Sequence, residues 1–337
     1  MEYNFIVVCL EGELYKYAYN QLNELSNAFF DIDFPHNKVL AFLQKVHCST
    51  KLNSVINLPF KGIWIKKRIK IYKKQIQKFK KPEAKLCFVL FADCLHLERM
   101  NFLTYLKEAF PNCKIVYYFQ DLVKKDINKQ KLLEKPNPYI DLIYSFDLGD
   151  AQKYNLEYYD IPYSNLCSLF PKVEIKYDVI FVGLAKDRLD TIIQVYDILE
   201  KQSIVCAFYI VDAASENKIY RSGIHYVEPL KYVEYINIVN SSRCILEIMQ
   251  KGGTGNTIRV CEARAFEKKL LSNNKYLINN KLYDDKNMKV FDSLDDLLEI
   301  KSFIYNSDRQ YADNEKMYPK AFLEEIESRL IVDENNI

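Results

Sequence analysis

The stretch KYDVIFVGLAKDRLDTIIQVYDILEKQSIVCAFYIV, residues 176–211, places an amphipathic run between two apolar runs. The apolar runs 176–183 and 203–211 are short, continuous and rich in Val, Ile and Phe, which is typical of strands buried on both faces of a parallel sheet. Residues 187–201 carry apolar side chains at helical spacing. Because a helix then joins two parallel strands, the stretch predicts a β-α-β unit of an α/β fold.

The same alternation continues along the chain. An amphipathic stretch predicts a helix within 96–112, and the helical spacing of its apolar residues stops at Pro111. Similar apolar runs predict strands at 4–10, 85–92, 113–119, 141–146, 242–249 and 268–274. A chain of 337 residues fits two domains of about 150 residues each. We therefore predict an α/β protein with two Rossmann-like β/α/β domains that face each other across a cleft, with ligands at the carboxyl ends of the strands.

The domain boundaries follow from where the pattern restarts after Pro171. We expect an N-terminal Rossmann-like domain over residues 1–172 and a second one over 173–310. Residues 311–337 predict a C-terminal helix, with Phe322, Ile326 and Leu330 on one face, that packs back toward the first domain.

Composition excludes several classes of protein. Hydrophobic residues make up 49% of the chain and charged residues 27%, with a net charge of +2, which argues against a strongly basic nucleic-acid binder. The nine cysteines are odd in number, never form CxxC and lie mostly in apolar runs, so we expect reduced thiols in a cytoplasmic protein. No run of about 18 uncharged apolar residues occurs, and we expect neither a signal peptide nor a membrane span.

A glycine-rich turn precedes a second predicted helix. Glycine lets backbone amides approach a ligand closely, and a helix that begins there directs free N–H groups toward it, which suits a phosphate. The alternative is an ordinary turn that needs positive φ angles. The turn consists of Gly252, Gly253, Thr254, Gly255, Asn256 and Thr257.

Charged residues follow both glycine sites. If the helix begins at Asn256, Arg259 could hold a phosphate, and Glu262, one turn deeper, could accept hydrogen bonds from ribose hydroxyls. Surface charge on a helix is the alternative. After the strand 176–183, Gly183 is followed by Lys186 and Arg188, which place cations at the start of a helix, where an anion would be favourable; ion pairing with neighbouring aspartates is the alternative.

Residues 176–274 resemble the donor-binding domain of GT-B glycosyltransferases, especially those of bacterial capsule and lipopolysaccharide (O-antigen) synthesis. The resemblance implies that Gly183, Lys186 and Arg188 bind the donor diphosphate. It also implies that Glu262, in the string CEARAF, binds the donor ribose. The family has a first glutamate eight positions earlier, where this chain has Thr254. The resemblance therefore leaves open whether transfer retains or inverts the sugar configuration.

The remaining chemistry concerns the leaving group and the acceptor. Lys186, Arg188, Arg259 and the loop amides could stabilise a departing diphosphate, so we predict a metal-independent reaction with no cofactor. The sequence DID at 31–33 predicts a turn rather than a metal-binding pair. An inverting transfer needs a base, and the candidates that follow strands of the first half, each of which could instead be structural, are Asp93, His96 and Asp121.

The segment 61–85 is basic and amphipathic. Its apolar residues are spaced as one helical stripe, with lysines over much of the rest, and Trp64 stands at its start. Packing on the core with a solvated basic face, docking on a membrane surface and RNA binding all remain open. The apolar stripe consists of Ile65, Ile69, Tyr72, Ile76 and Phe79.

Together, these patterns and the resemblance imply a cytoplasmic glycosyltransferase, peripheral at the inner face of the cell membrane, that moves a sugar from a nucleotide diphosphate sugar to a saccharide or lipid-linked saccharide. The N-terminal domain, 1–172, would bind the acceptor and the second domain, 173–310, the nucleotide sugar. The resemblance also implies base recognition mostly by backbone around 227–229, and we expect no nucleic-acid partner. The alternatives are a sugar-nucleotide epimerase of the same fold and a catalytically inactive protein that binds a nucleotide sugar.

Overall fold

The computed structural model divides into two units, one of Met1–Tyr159 with Pro319–Ile337 and one of Asp160–Tyr318. The structure describes residues 2–9, 12–32, 37–49, 52, 56, 58–91, 94, 97, 101–250, 252–306 and 310–335. The division lies before the expected boundary at Lys172. The reason is local: the Tyr163 amide donates to the Met317 carbonyl (2.7 Å), and Asp160 accepts from Asn256 and Asn280, so the segment after Tyr159 belongs to the second unit.

The sheet of the first unit is entirely parallel, in the order β2-β1-β3-β4-β5-β6. Val89 of β3 pairs with Val7 of β1 on one side and with Val116 of β4 on the other. The strand order reverses between β1 and β3, and such a point is where ligands bind in doubly wound sheets. The strands are β1 (Tyr3–Val8), β2 (Ala28–Asp31), β3 (Lys85–Phe91), β4 (Lys114–Phe119), β5 (Leu142–Ser145) and β6 (Glu157–Tyr158).

Helices cover this sheet, and the C-terminal helix is one of them. Phe322, Ile326 and Leu330 of that helix are buried, and the Phe322 ring lies 4.7 Å from the Tyr118 ring of β4, which explains why Pro319 onward belongs to the first unit. The helices are α1 (Glu13–Ala18), α2 (Lys38–His47), α3 (Gly62–Ile76), α4 (Phe102–Ala109), α5 (Ile127–Glu134), α6 (Leu148–Tyr154) and, at the end of the chain, α11 (Pro319–Asn335).

The sheet of the second unit is also parallel, in the order β12-β11-β10-β7-β8-β9. Its strand order reverses between β7 and β10. The strands are β7 (Tyr177–Leu184), β8 (Cys206–Val211), β9 (Ile224–Val227), β10 (Ser242–Glu247), β11 (Lys269–Ser272) and β12 (Met288–Val290). The helices are α7 (Leu189–Lys201), α8 (Tyr232–Asn240), α9 (Ile258–Ala265) and α10 (Lys301–Tyr305).

Every strand predicted from the sequence is present, including the β-α-β unit β7–α7–β8. The predicted helix over 96–112 is confirmed only as α4, Phe102–Ala109, since most of 95–100 lies outside the described residues. All nine cysteines are free thiols, and all except Cys48 and Cys167 are buried, as their apolar neighbours predict. Within the described ranges, no helix is long and apolar enough to cross a membrane.

Candidate functional site

The candidate site lies in the second unit, at the carboxyl ends of β7 and β10, where the strand order reverses. The turn after β7 brings Gly183, Lys186 and Arg188 to this edge of the sheet, and the segment after β10 brings the turn 252–257 and helix α9. Parallel strands end together at one edge, so two sequence motifs about seventy residues apart meet there.

Arg188 is fixed by backbone carbonyls. Its Nε and Nη2 donate to the Leu184 carbonyl (3.2 and 3.1 Å), its Nη1 donates to the Ile248 carbonyl beyond β10, and its guanidinium lies over the Phe181 ring (5.6 Å). A Cβ at Gly183 would lie 3.2 Å from Nη2 and 3.1 Å from the Phe181 ring. Glycine therefore leaves the room that the guanidinium occupies.

Lys186 lies in the same turn, in a left-handed backbone conformation. Its φ is 44°, which a residue with a Cβ adopts at a cost of about 1–3 kcal/mol. The side chain is exposed, and Lys186–Arg188 form one 3-10 turn before α7. The packing around the turn that carries both cations must therefore offset this cost.

Arg259, in the first turn of α9, reaches across to β7. Its Nη2 donates to the Val182 carbonyl (3.0 Å) and its guanidinium lies 4.2 Å from the centre of the Tyr235 ring, with 23% of the side chain exposed. Burial lowers the pKa of Arg188, and the positive charge of Arg259 lowers it further. Two like charges held close together favour a neighbouring anion, and Arg259 already has one in the Glu262 carboxylate (2.6 Å).

The glycine-rich turn is fixed by side-chain hydrogen bonds. Gly252 has φ 80°, the Gly255 carbonyl accepts from Asn274 (3.1 Å), and Asn256 donates to Asp160 (3.1 Å). Thr257 then caps the helix by accepting from the Arg259 amide (3.2 Å). The helix therefore begins at Ile258 and not at Asn256 as expected, because Thr257 has an extended backbone and is the capping residue.

Within that turn, Gly253 and Thr254 are half-buried. A Cβ at Gly253 would lie 3.2 Å from the Met249 side chain. This is a contact that the flexible methionine can relieve, so glycine is not required at 253 for space alone.

Glu262 is buried and committed to partners within the unit. Its Oε1 accepts from the Tyr232 hydroxyl (3.0 Å), and its Oε2 accepts from the Tyr235 hydroxyl (2.6 Å) and from Arg259 Nη1 (2.6 Å). The hydroxyls of Tyr232 and Tyr163 are in turn 2.5 Å apart. Burial, together with the carboxylate, raises the pKa of both Tyr232 and Tyr235. A ribose contact at Glu262 stays a prediction, and it requires the Tyr232 hydroxyl to give way.

Glu247, which the sequence analysis did not single out, ends β10 at the same point. It is buried, and the hydroxyls of Thr257 and Ser272 each donate to one of its carboxylate oxygens. Burial raises the pKa of Glu247, although the two hydroxyls and the nearby Arg259 and Arg188 oppose that shift. Its position at the end of an apolar strand is a signal that could have identified it. Its role is to hold the cap of α9 against the sheet.

The candidate bases lie in the first unit. Asp93 and His96 are outside the described residues. Asp121 follows β4, with 66% of its side chain exposed; its Oδ1 accepts from the Leu122 amide (2.9 Å) and lies 3.6 Å from Lys125 Nζ. A catalytic role for any of the three stays a prediction.

Asp31, the first residue of DID, is not part of a turn. It ends β2, is buried, and its Oδ2 lies 2.8 Å from Arg68 Nε and accepts from the Tyr72 hydroxyl (2.6 Å). Asp33 lies outside the described residues. Over the described part of the chain, no three His, Cys, Asp or Glu side chains are grouped so that they could hold a metal ion. Metal independence stays a prediction.

The basic segment forms α3 only as far as Ile76, since β3 begins at Lys85. Its stripe packs in the core, the first of the three alternatives left open by the sequence, with Ile65, Ile69, Tyr72 and Phe79 buried. Trp64 is buried too, and its Nε1 donates to His47 Nδ1 (3.0 Å), so it is not available to lie on a membrane surface. The lysines 66, 67, 70, 73 and 74 face outward.

Comparisons with known proteins give similarity of structure only. No protein-family model and no curated protein sequence matches the chain. An α-glucosyltransferase in complex with UDP-glucose and DNA containing an abasic site is similar at 11% identity and a TM-score of 0.58, over 90% of this chain and 91% of that one. An α-glucosyltransferase in complex with UDP and DNA containing an A:G mismatch is similar at 12% identity and a TM-score of 0.54, over 90% of this chain and 91% of that one.

A UDP-GlcNAc 2-epimerase from Neisseria meningitidis is similar at 10% identity over 96% of this chain and 100% of that one, but its TM-score of 0.44 is too low to carry an argument. The two α-glucosyltransferase structures support the fold. The chain has the α/β fold of two Rossmann-like domains that GT-B glycosyltransferases have, and the predicted fold class is confirmed.

Proposed function

We propose that this protein is a glycosyltransferase that moves a sugar from a nucleotide diphosphate sugar to a saccharide acceptor. The observation that carries the proposal is the pair Arg188 and Arg259. Each is anchored on a backbone carbonyl of the neighbouring strand or its extension, and both are held at the point where the strand order reverses. A doubly wound sheet binds its ligand at such a point, and two guanidiniums suit a diphosphate.

The chemistry follows from where the charge develops. As the bond between the anomeric carbon and the diphosphate breaks, the electron pair leaves with the diphosphate, and the acceptor oxygen forms the new bond to carbon. Arg188, Arg259, Lys186 and the first amides of α9 would stabilise the leaving diphosphate without a metal ion. The turn Gly252–Thr257 would lie against the phosphates, and Glu262 would bind the ribose.

The acceptor hydroxyl must lose a proton, and Asp93, His96 and Asp121 are the candidates to receive it. We include in the proposal a saccharide or lipid-linked saccharide acceptor of bacterial surface polysaccharide synthesis and a cytoplasmic location. The proposal also includes contact with the inner face of the cell membrane through residues 61–85. The exposed lysines of α3 support that last part.

The proposal is tested by nucleotide binding. We expect one nucleoside diphosphate, among UDP, GDP, CDP and dTDP, to raise the melting temperature. At one hundred times its dissociation constant it would add about 2.7 kcal/mol, a shift of several degrees. Arg188→Gln and Arg259→Gln should each weaken binding by at least about tenfold, since each removes a charge-assisted contact. Arg221→Gln, which alters a surface pair with Asp197, is the matched control.

Product analysis then decides the reaction. Transfer to a saccharide, or slow hydrolysis of the donor, in the presence of EDTA supports a metal-independent transferase. Release of free, epimerised sugar together with the nucleotide would show an epimerase, and binding with neither product would show an inactive nucleotide-sugar-binding protein. If no nucleotide binds at millimolar concentration, the proposal is wrong.

A further inference from the structure

Helix α2 exposes the face that an amphipathic helix usually buries. Val39, Phe42, Leu43 and Val46 follow the spacing i, i+3, i+4, i+7, so they form one stripe, yet Val39 is 67% and Phe42 66% exposed. None of the residues of α2 is buried. An exposed, contiguous apolar stripe on a folded unit marks a surface that contacts something else.

A second exposed apolar group lies beside the end of this helix. The Phe60 side chain is 86% exposed and its φ is 61°, a left-handed conformation that is strained for an aromatic residue. His47, the last residue of α2, hydrogen-bonds to the Pro59 carbonyl through Nε2 (2.7 Å) and accepts from Trp64 through Nδ1 (3.0 Å). The turn therefore holds Phe60 in solvent next to α2.

We define the apolar patch as Val39, Phe42, Leu43, Val46, Phe60 and the half-exposed Ile63. Its borders are basic. The sequence has no Asp or Glu between Asp33 and Glu83. Lys38 and Lys45 are exposed on α2. Lys67 Nζ of α3 lies 5.0 Å from the centre of the Trp64 ring, and that ring donates a hydrogen bond to His47 at the end of α2.

The combination determines the chemistry of the partner. An apolar stripe alone would fit another protein, and lysines alone would fit phosphates of any kind. Apolar side chains bordered by lysines, on a stretch of sequence without acidic residues, fit an anionic bilayer, where the apolar groups enter the boundary between headgroups and acyl chains and the lysines contact the headgroups.

We propose that the apolar patch and its lysine border form a docking surface for an anionic lipid membrane. The surface differs from the one expected from the sequence, because α2 and Phe60, and not Trp64, supply the apolar contact. The inference deepens the membrane contact included in the proposed function, but it does not rest on sugar transfer, since the patch belongs to the first unit and the proposed nucleotide site to the second.

The test is flotation of the full chain with vesicles of phosphatidylcholine, with and without one third phosphatidylglycerol. We expect flotation with the anionic vesicles and much less with the neutral ones. The double variant Phe42→Ser/Leu43→Ser should lower the partition coefficient by at least about tenfold. Lys38→Gln/Lys45→Gln/Lys67→Gln should lower it by about fivefold per lysine.

Two further variants separate docking from folding. Phe60→Gly should also lose vesicle binding, while its melting temperature equals or exceeds that of the wild type, because glycine adopts positive φ without strain. Leu298→Ser, which alters an equally exposed leucine of the second unit, is the matched control and should bind vesicles like the wild type.

Three outcomes would overturn the inference. The first is absence of flotation with anionic vesicles. The second is binding that responds to the lysine variants and not to Phe42→Ser/Leu43→Ser, which would indicate a phosphate-binding surface such as one for nucleic acid. The third is a wild-type dimer in analytical ultracentrifugation that the double variant dissociates, which would show that a second copy covers the patch.

Discussion

Replacing Glu262 by glutamine tests whether the buried network of the second unit is as tight as its geometry indicates. Glu262→Gln keeps the volume of the side chain but removes its negative charge. Two groups donate to Oε2, the Tyr235 hydroxyl (2.6 Å) and Arg259 Nη1 (2.6 Å). A glutamine can keep its oxygen toward both groups by turning its amide nitrogen toward the Tyr232 hydroxyl, which can accept, but the charge-assisted contact to Arg259 is lost.

The magnitude follows from the lost contact. A hydrogen bond to a charged group contributes about 1.5–3 kcal/mol, and a buried charge left without its partner costs more. Arg259 keeps its bond to the Val182 carbonyl and is 23% exposed, so water compensates in part. We therefore expect the free energy of unfolding of the second unit to fall by about 2 kcal/mol, which for a unit of this size lowers the melting temperature by about 4–8 °C.

The assay is differential scanning calorimetry of the full chain, with Glu267→Gln as the control. Glu267 forms an exposed pair with Lys172, so its replacement should cost less than about 0.5 kcal/mol. If Glu262→Gln and the control variant have the same melting temperature, the carboxylate does not hold Arg259 and the tyrosines as described.

The same variant addresses the ribose. If the carboxylate stays with the tyrosines when nucleotide binds, a ribonucleoside diphosphate and its 2′-deoxy analogue should bind the wild type equally. A preference of tenfold or more for the ribose form, abolished in Glu262→Gln, would show that the carboxylate leaves the tyrosines. It would also support the ribose contact that the family resemblance implies.

Two further predictions concern the same edge of the sheet. Gly183→Ala should weaken nucleoside diphosphate binding by about tenfold, because the added Cβ would lie 3.2 Å from Arg188 Nη2, while the melting temperature changes little; isothermal titration measures the first and calorimetry the second. Burial raises the folded-state pKa of Glu247 above its ordinary 4.5, so the folded protein binds the proton more tightly than the unfolded chain. The stability of the wild type relative to Glu247→Gln should therefore increase as the pH falls from 7.5 toward 4.5, and urea unfolding that shows the opposite slope would contradict the assignment.

The sequence predicts the strands and helices whose apolar residues form a continuous run or recur at helical spacing. Continuous apolar runs mark the central strands, and all of those predicted are present. The strands that escaped prediction are short: β2 has four residues, β6 two, β9 four and β12 three. Length alone does not explain this, because β5 and β11 also have four residues each and were predicted. The four missed strands are the ones at the edges of the two sheets, where a continuous apolar run is not needed.

Prediction of the site was limited by side-chain direction. Glycine spacing identified the two turns, and the charges after them identified Arg188 and Arg259. Periodicity does not reveal which backbone carbonyl a guanidinium reaches, or that Tyr232 and Tyr235 would cover Glu262 from α8. These contacts join segments far apart in the chain. Only the packed sheet brings them together.

The two arginines of the proposed site are anchored on backbone carbonyls as well as on side chains. Arg188 is held by the Ile248 carbonyl beyond β10, and Arg259 by the Val182 carbonyl in β7. Carbonyl groups are the same in every residue, so this part of the anchoring depends on strand order and register. The Glu262 carboxylate and the Phe181 ring add side-chain contacts to it. The register of β7 against β10, with Val179 opposite Cys244, therefore fixes the spacing of the proposed diphosphate site. Replacement of apolar residues within these strands should leave that spacing intact, provided that the register is kept.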